Sequence, residues 1–375
     1  MPEGHTVHRL ARAFGALFTG QRLEVTSPQG RFAPGAALLD GRPLVAAEAW
    51  GKQLFLGFAA DDDGADGDAA SPGVRWLRVH LGLYGAWTFA GDGTAAVVHA
   101  IGAPRRRIGE RETVPAAPPA ALDGPAVPGD AKAAGDAAAG AGADAAATAD
   151  GAGEWEPPAP RGAVRVRLRG PHAVADLTGP TACEVVTPEQ KAAVEARLGP
   201  DPIRPDGGRA SLDAAREDFV ARVRRSRVVV GQQLMDQAVV AGVGNIYRAE
   251  ALYRARLDPV RPGRDVDAGT LRGIWDDLVV LMRDGADHGA IVTTRPEHRD
   301  AGDGGTGNGG PDVGGQSAPR RRTRQNTDGA AGAVPAEDAF YVYHRDGLPC
   351  RVCGTPVLVK ELAGRNLFWC PACQV

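Results

Sequence analysis

The sequence predicts an α+β chain of several domains: a β-rich N-terminal part behind one leading helix, a helical middle part and a metal-binding hairpin at the C-terminal end. Three observations support this class. Short apolar runs separated by Gly- and Pro-containing turns fill residues 22–58 and resume at 74–89 and 163–169, a pattern typical of β-rich domains. From residue 188 onward, apolar residues recur at helical spacing. Two Cys-x-x-Cys pairs lie close to the end of the sequence.

The first residues carry the candidate reactive group. We expect the initiator Met1 to be removed, which leaves a secondary amine on Pro2. Because α-amino groups have a pKa of about 7.7–8.0, part of this amine is unprotonated at neutral pH and can act as a nucleophile. Glu3 lies beside it and can move protons. The alternative is an ordinary frayed terminus. Apolar residues at helical spacing over 5–19 favour a reactive end that is held in place by a helix.

Lys52 lies inside the strand-like run 50–56, within a region whose turns include Pro34-Gly35. A Lys among apolar residues is typically a surface or edge-strand charge, and a catalytic role is the second interpretation.

Leu83 and Tyr84 stand between Gly82 and Gly85, which predicts a tight turn. The two side chains are candidates for the core. The functional alternative is a wedge, because an enzyme that unstacks a base from a duplex fills the gap with apolar side chains.

Charge is distributed unevenly along the 375 residues. Residues 61–68 hold five Asp, and residues 108–158 hold nine acidic residues against two basic ones. These stretches contribute −5 and −7, so the formal net charge of −3 becomes +9 without them. A basic remainder fits a nucleic-acid partner. Residues 108–160 and 297–338 are low-complexity stretches, which we predict to be disordered insertions.

Two function classes are disfavoured by composition. The sequence contains no run of about 18 apolar residues that would span a membrane. It also lacks a secretory signal at its start, so a cytoplasmic location is expected.

The helical part contains one informative turn. Helical patterns are predicted at about 188–198, 211–225, 229–240, 245–256 and 269–285. Gly242-Val243-Gly244 separates two of these patterns, and Asn245 is the predicted N-cap of the second. A Gly-rich turn that exposes a helix N-terminus can bind phosphate, although ordinary helix packing explains the pattern equally well.

The C-terminal cysteines predict a structural zinc site. Cys350 and Cys353 are separated from Cys370 and Cys373 by 16 residues, the spacing of a four-thiolate zinc site on two knuckles. Four thiolates leave the metal without an open position, so the zinc would be structural. Arg365 lies in the loop between the pairs, where its guanidinium suits a phosphate.

Together, Pro2-Glu3-Gly4, Lys52, the Gly-Val-Gly-Asn turn at 242–245 and the four-cysteine hairpin with Arg365 resemble the formamidopyrimidine-DNA glycosylase/endonuclease VIII family. This resemblance implies a two-layer β-sandwich over 1–185, a helix-two-turn-helix domain over 186–296 and a zinc β-hairpin over 339–375. It also implies a monomer that binds damaged duplex DNA between the domains and associates with the nucleoid.

The resemblance also implies roles for individual residues. Pro2 would attack C1′ of the damaged nucleotide and form a Schiff base, and Glu3 would supply protons for base release. Lys52 would donate a proton in β-elimination and Arg365 would serve δ-elimination. Asn245 and Arg197 would contact the DNA backbone. The result is a bifunctional glycosylase and abasic-site lyase.

Leu83 and Tyr84 resemble the wedge of the endonuclease VIII branch, which takes oxidised pyrimidines. His5-Thr6 and Gly82 depart from the family pattern. The alternative functions are a non-catalytic zinc-ribbon protein that binds damaged DNA and an N-terminal-proline tautomerase. Tautomerases are short and need no zinc hairpin, which disfavours the second alternative.

Overall fold

The computed structural model describes residues 2–60, 71–94, 100–102, 155–299, 334–335 and 337–375. The helices are α1 (Gly4–Phe18), α2 (Ala33–Leu39), α3 (Pro188–Glu195), α4 (Leu212–Arg224), α5 (Val230–Gln233), α6 (Asn245–Arg254) and α7 (Ala268–His288). The strands are β1 (Glu24–Thr26), β2 (Leu44–Trp50), β3 (Gln53–Phe58), β4 (Arg75–His80), β5 (Ala86–Gly91), β6 (Ala100–Gly102), β7 (Val164–Arg169), β8 (Ala173–Thr178), β9 (Ala182–Val186), β10 (Leu358–Leu362) and β11 (Arg365–Trp369).

Two antiparallel sheets form the N-terminal part. One has the strand order β1-β7-β8-β5-β6, and the other has the order β2-β3-β4-β9. Alternate side chains of both sheets enter one apolar core, which α1 also joins. The ring of Phe14 on α1 meets the ring of Trp87 on β5 edge to face at 4.7 Å between centroids. This packing fixes the helix that follows Pro2 and Glu3, and it confirms the predicted helix with small changes at its ends.

The predicted turn at Pro34-Gly35 is wrong, because these residues belong to helix α2. Proline is tolerated in the first helical turn, where its missing N–H would have no partner in any case. The ring of Phe32 packs over Gly35 at a distance that leaves no room for a side chain there. A local contact between the N-cap residue and the first turn of the helix therefore accompanies the helix at this position.

The predicted helix over 229–240 is also wrong in extent. Helix α5 ends at Gln233, and two turns follow before α6. The carboxylate of Asp236 accepts a hydrogen bond from the amide of Ala238 at 2.9 Å, which favours a turn over continued helix. The α5-turns-α6 unit supplies the helix-two-turn-helix architecture.

The C-terminal hairpin β10–β11 shares a core with the helical part. Tyr343 packs edge to face on Phe368 of β11, at 5.4 Å between ring centroids. The carboxylate of Glu250 on α6 accepts hydrogen bonds from the amides of Tyr341, Val342 and Tyr343 at 2.8–2.9 Å. The segment that leads into the zinc hairpin is thereby fixed to α6. The α+β class with three parts is confirmed, whereas the boundaries 1–185, 186–296 and 339–375 stay predictions.

Most of the predicted insertions at 108–160 and 297–338 lies outside the described residues. At the edge of the first, the carbonyl of Pro158 accepts a hydrogen bond from Arg167. At the edge of the second, Pro296–His298 forms a short 3-10 helix. Among the described helices, none combines the length and apolar character needed to cross a membrane.

Candidate active site

The carboxylate of Glu3 caps helix α6 from another part of the chain. Glu3 is 2 % exposed, and it accepts hydrogen bonds from the amides of Gly244 (3.0 Å), Ile246 (2.8 Å) and Tyr247 (3.4 Å). The first amides of a helix lack partners within the helix, and the positive end of the helix dipole favours an anion. The predicted N-cap is corrected accordingly: the helix begins at Asn245, Gly244 is the N-cap, and Glu3 supplies the capping oxygens.

Burial raises the pKa of Glu3 above its ordinary value. The charge of Lys52 and the hydrogen bonds from Ile246 and Tyr247 act in the opposite direction, because they stabilise the carboxylate. Burial outweighs these influences, so the pKa of the Glu3 carboxyl stays above its ordinary value. The predicted role of Glu3 as a general acid and base stays a prediction.

Three glycines allow the backbones of three elements to pack closely together at the site. The amide of Gly4 donates to the carbonyl of Gly242 at 2.8 Å, and a Cβ on Gly4 would lie 2.7 Å from Cα of Gly242. A Cβ on Gly51 would lie 2.9 Å from the nitrogen of Gly242. Real Cβ atoms essentially never approach backbone this closely. Glycine thus brings the N-terminal helix, the β2–β3 hairpin and the helical turn into contact.

Lys52 occupies the β2–β3 turn and not the interior of a strand, which corrects the predicted placement. Trp50 pairs with Gln53, and Gly51 reverses the chain with a φ of +58°. Lys52 is 8 % exposed, so it is not the solvent-facing charge that its pattern alone favours. Its positive charge lowers the pKa of the buried Glu3 carboxyl, because it stabilises the carboxylate form.

Asp201 fixes this hairpin, and no sequence pattern singles it out. The fully buried carboxylate accepts hydrogen bonds from the amide of Gly51 (2.7 Å) and the amide of Ile203 (2.9 Å), and it pairs with Nε2 of His8 on α1 at 2.7 Å. Burial alone would raise the pKa of Asp201, but these partners outweigh it and hold the pKa below its usual value. Asp201 therefore ties α1, the turn that bears Lys52 and the helical part together.

The tip of the zinc hairpin rests on the start of α6. Nδ2 of Asn245 and Nη2 of Arg248 each donate to the carbonyl of Asn366 at 2.9 Å. Arg365 directly precedes Asn366 on β11 and pairs with Leu362 across the two-residue turn at the tip. Arg365 is thus held near Asn245, whereas the DNA-binding role of both residues stays a prediction. Arg248 is buried and was not predicted as a site residue, because a single Arg in a helical pattern gives no signal.

Leu83 and Tyr84 project from the turn between β4 and β5. They are 42 % and 57 % exposed, so the core interpretation of this pair is wrong. Gly82 has a φ of +65°, and a Cβ there would collide with Thr181. The turn follows His80, which pairs with Gln53 directly after Lys52. The exposed pair Leu83 and Tyr84 therefore follows the end of β4 that lies beside the turn of Lys52.

Arg197 lies just beyond helix α3 and is exposed. The next residues are fixed to both parts of the chain. The amide of Gly199 donates to the carbonyl of Gln237 in the helical part at 2.8 Å, and Nε1 of Trp50 on β2 donates to the carbonyl of Gly199 at 3.0 Å. Arg197 therefore lies near the α5–α6 turns but outside the buried group around Glu3.

Four thiolates converge at the base of the hairpin. The Sγ atoms of the four cysteines all lie within 4.8 Å of one another, with 3.9 Å between Cys350 and Cys373 and 3.5 Å between Cys353 and Cys370. A tetrahedral site with Zn–S bonds of about 2.3 Å separates its sulfurs by roughly 3.8 Å. The hydroxyl of Tyr253 lies 3.0 Å from Sγ of Cys350. The donor set fits one structural zinc and leaves no open coordination position.

Comparisons with known proteins agree with this architecture. Residues 1–114 match the Formamidopyrimidine-DNA glycosylase N-terminal domain, residues 198–296 match the Formamidopyrimidine-DNA glycosylase H2TH domain, and residues 347–375 match the Zinc finger found in FPG and IleRS. Relatives named Endonuclease 8 1 from Mycobacterium tuberculosis and Mycobacterium bovis are 37 % identical over 374 residues, which is 100 % of each chain. The Formamidopyrimidine-DNA glycosylase of Herpetosiphon aurantiacus is 32 % identical over 49 % of this chain and 54 % of its own.

Solved structures share the fold. The Lactococcus lactis Fpg in complex with abasic-site DNA superposes with a TM-score of 0.56 at 15 % identity and covers 99 % of both chains. The MutM (FPG) protein of Thermus thermophilus gives a TM-score of 0.55 at 22 % identity, covering 100 % of this chain and 98 % of its own.

The fold and the family matches define a DNA glycosylase of base excision repair with a structural zinc finger. The chain belongs to the formamidopyrimidine-DNA glycosylase/endonuclease VIII family, as its motifs predict. The full-length match to endonuclease 8 proteins agrees with the predicted branch.

Proposed function

We propose that this glycosylase is bifunctional: it excises oxidised bases, foremost pyrimidines, and then nicks the strand by β,δ-elimination. One observation carries the proposal. The Glu3 carboxylate follows Pro2 directly in the chain, is buried, caps α6, and lies close enough to Lys52 for that charge to lower its pKa. A proton-exchanging carboxyl between an N-terminal amine and a cation is the set of groups that imine chemistry at a sugar needs.

The reaction begins with the amine of Pro2, which becomes available once Met1 is removed. Its nitrogen attacks C1′ of the flipped nucleotide, the glycosidic bond breaks, and Glu3 delivers the proton that the departing base takes up. Glu3, now a carboxylate, takes the N–H proton from the Pro2 nitrogen, and the lone pair that this frees opens the sugar ring as the iminium forms. O4′ then receives that proton from the same carboxyl. Glu3 thereby serves two successive proton transfers.

Strand cleavage follows from the iminium, which acidifies the hydrogens on C2′. Loss of a C2′ proton expels the 3′ phosphate in β-elimination, and a second elimination expels the 5′ phosphate. Lys52 donates a proton in the first step and holds a phosphate. Arg365 serves the second step and grips the lesion phosphate. Asp201 supports the first elimination indirectly, because it fixes the turn that carries Lys52.

DNA contacts extend from this centre. A carboxamide nitrogen carries two N–H groups, so Asn245 can hold the hairpin and still donate to a phosphate. Arg197 contributes a further backbone contact. Leu83 and Tyr84 fill the gap that the flipped nucleotide leaves, since their exposure suits a wedge. The pyrimidine preference rests on this aliphatic and aromatic pair, which resembles the wedge of endonuclease VIII.

Borohydride trapping tests the proposal. The protein is incubated with duplexes that carry either an abasic site or an oxidised pyrimidine, and borohydride reduces any imine to a stable protein–DNA adduct. Pro2→Gly and Glu3→Gln are compared with the wild type, and Glu24→Gln, at an exposed position of strand β1, is the matched control. Intact mass spectrometry reports whether Met1 is removed.

We expect the wild type and Glu24→Gln to trap on both duplexes. Glu3→Gln should trap only on the abasic site, where the base is already absent. Pro2→Gly keeps an α-amine but loses the pyrrolidine ring, so it should trap less than the wild type on both duplexes. If the wild type binds both duplexes but forms no adduct, Pro2 is not the nucleophile. The non-catalytic damage-binding function then becomes the better account.

A further inference from the structure

A cleft of about 530 Å³ opens on the helical part, and its lining does not include Glu3 or the residues bonded to Glu3. Its walls come from the C-terminal end of α4 with the following residues, and from α5 with the turns after it. The side chains that define its charge are Arg222, Arg225, Arg227 and Asp236. Cationic groups therefore outnumber the one acidic group in the lining by three to one.

Arg225 and Arg227 are exposed, and within the described part of the chain neither side chain has a hydrogen bond or an ion pair with protein. Arg222 is held in place, because it bonds to the carboxylate of Asp218 and to the carbonyl of Ala238, each at 2.8 Å. The cleft thus combines one fixed guanidinium with two that are available to an anionic ligand.

The cleft lies directly behind the turn that leads into α6. Gln237 accepts a hydrogen bond from the amide of Gly242 (2.9 Å) and donates to the carbonyl of Val243 (3.0 Å). Its neighbour Ala238 lines the cleft and is bonded to Arg222. One loop therefore separates the cleft from the turn. Four residues of chain span at most about 14 Å, so Ala238 and Gly242 lie within roughly the length of four phosphates along one DNA strand.

We propose that this cleft binds the phosphate backbone of the duplex beside the lesion, with Arg225 and Arg227 as the contacting groups. The inference rests on the DNA binding proposed for the 242–245 turn, and it extends that footprint onto α4. The fixed spacing of phosphates and the planar guanidinium groups make backbone contact the chemistry that suits these side chains. Neither Arg touches the reacting atoms, so the cleft contributes affinity and not chemistry.

The test combines salt dependence with backbone neutralisation. Binding of the full chain to a lesion duplex is measured from low to moderate salt for the wild type, for Arg225→Gln/Arg227→Gln and for Arg224→Gln/Arg261→Gln. The last variant is the matched control, because it removes two exposed Arg of the same part of the chain that do not line the cleft. The same proteins are then titrated with duplexes in which single phosphates, two to six nucleotides from the lesion, are replaced by neutral methylphosphonates.

Each lost phosphate contact should lower the slope of log affinity against log salt by about 0.9, so the cleft variant should lose close to two. The control should lose clearly less. Methylphosphonates that weaken the wild type severalfold should have no further effect on the cleft variant, because the contact is already gone. Trapping at saturating protein should stay unchanged for both variants.

Equal slopes for the cleft and control variants would show only a general electrostatic field and overturn the proposal. Additive effects of methylphosphonate and cleft variant at every position would also overturn it. Wild-type trapping reports on the proposed function separately, so the two inferences fail independently.

Discussion

Gly244→Ala should damage the site through Glu3 and not through the backbone. Gly244 is extended, with a φ of −125°, so alanine meets no conformational barrier. A Cβ there would lie 2.6 Å from Cγ and 2.7 Å from Oε1 of Glu3, whereas ordinary contact begins at 3.4 Å. The carboxyl must therefore move by about 0.8 Å or more.

This shift should break at least one hydrogen bond to the carboxylate. The bonds from the amides of Gly244 (3.0 Å) and Ile246 (2.8 Å) have the least room to adjust. A hydrogen bond to a charged group contributes about 1.5–3 kcal/mol, so the free energy of unfolding should fall by about 2 kcal/mol. Misplacement of a catalytic group by about 1 Å costs roughly 10²-fold in rate, and base excision should slow by that order.

Single-turnover excision of an oxidised pyrimidine measures the rate, and trapping on an abasic site separates the steps. Trapping should fall less than excision, because no base has to leave. Gly15→Ala and Gly273→Ala are the controls, since a Cβ at either helical position meets no atom within 4 Å. They should stabilise the fold by about 0.5–1 kcal/mol. Wild-type excision and Tm in Gly244→Ala would refute the described capping by Glu3.

Three further predictions concern the surroundings of the site. Metal analysis should find one zinc per chain, and a chelator should unfold the hairpin and abolish DNA binding; full binding by the metal-free protein would contradict this. Asp201→Asn should lower the free energy of unfolding by about 1–3 kcal/mol and slow nicking more than excision, because it loosens the turn of Lys52. The control is Asp206→Asn at an exposed position. Equal losses of nicking and excision in Asp201→Asn would indicate a merely structural role. Burial lowers the pKa of His5 from 6.5 to about 3, so between these pH values the unfolded chain binds a proton that the folded chain does not. The free energy of unfolding should therefore fall below pH 6.5, by about 2 kcal/mol at pH 5. A His5→Phe variant should lose less stability over this range, and identical pH profiles for the two proteins would exclude His5 as the cause.

The sequence by itself determined the parts whose signals are local. The spacing of the cysteines specifies a zinc site because ligand geometry limits the loop lengths between them. Amphipathic spacing specifies α1 because burial of one face requires that period. The order of Pro2, Lys52, Asn245 and Arg365 indicated the family and its three-part fold.

Tertiary structure alone decided which distant groups meet. Asp201 lies in a Pro-rich break that reads as a simple interruption, yet its carboxylate bonds to the amide of Gly51, 150 residues away in sequence. Glu3 caps α6 across 243 residues, and no local pattern encodes a cap supplied from another element. Such contacts depend on how two domains pack, and the energy of that packing is spread over many side chains. The sequence therefore names the chemical groups, and the packing of α1 against the helical part decides their partners.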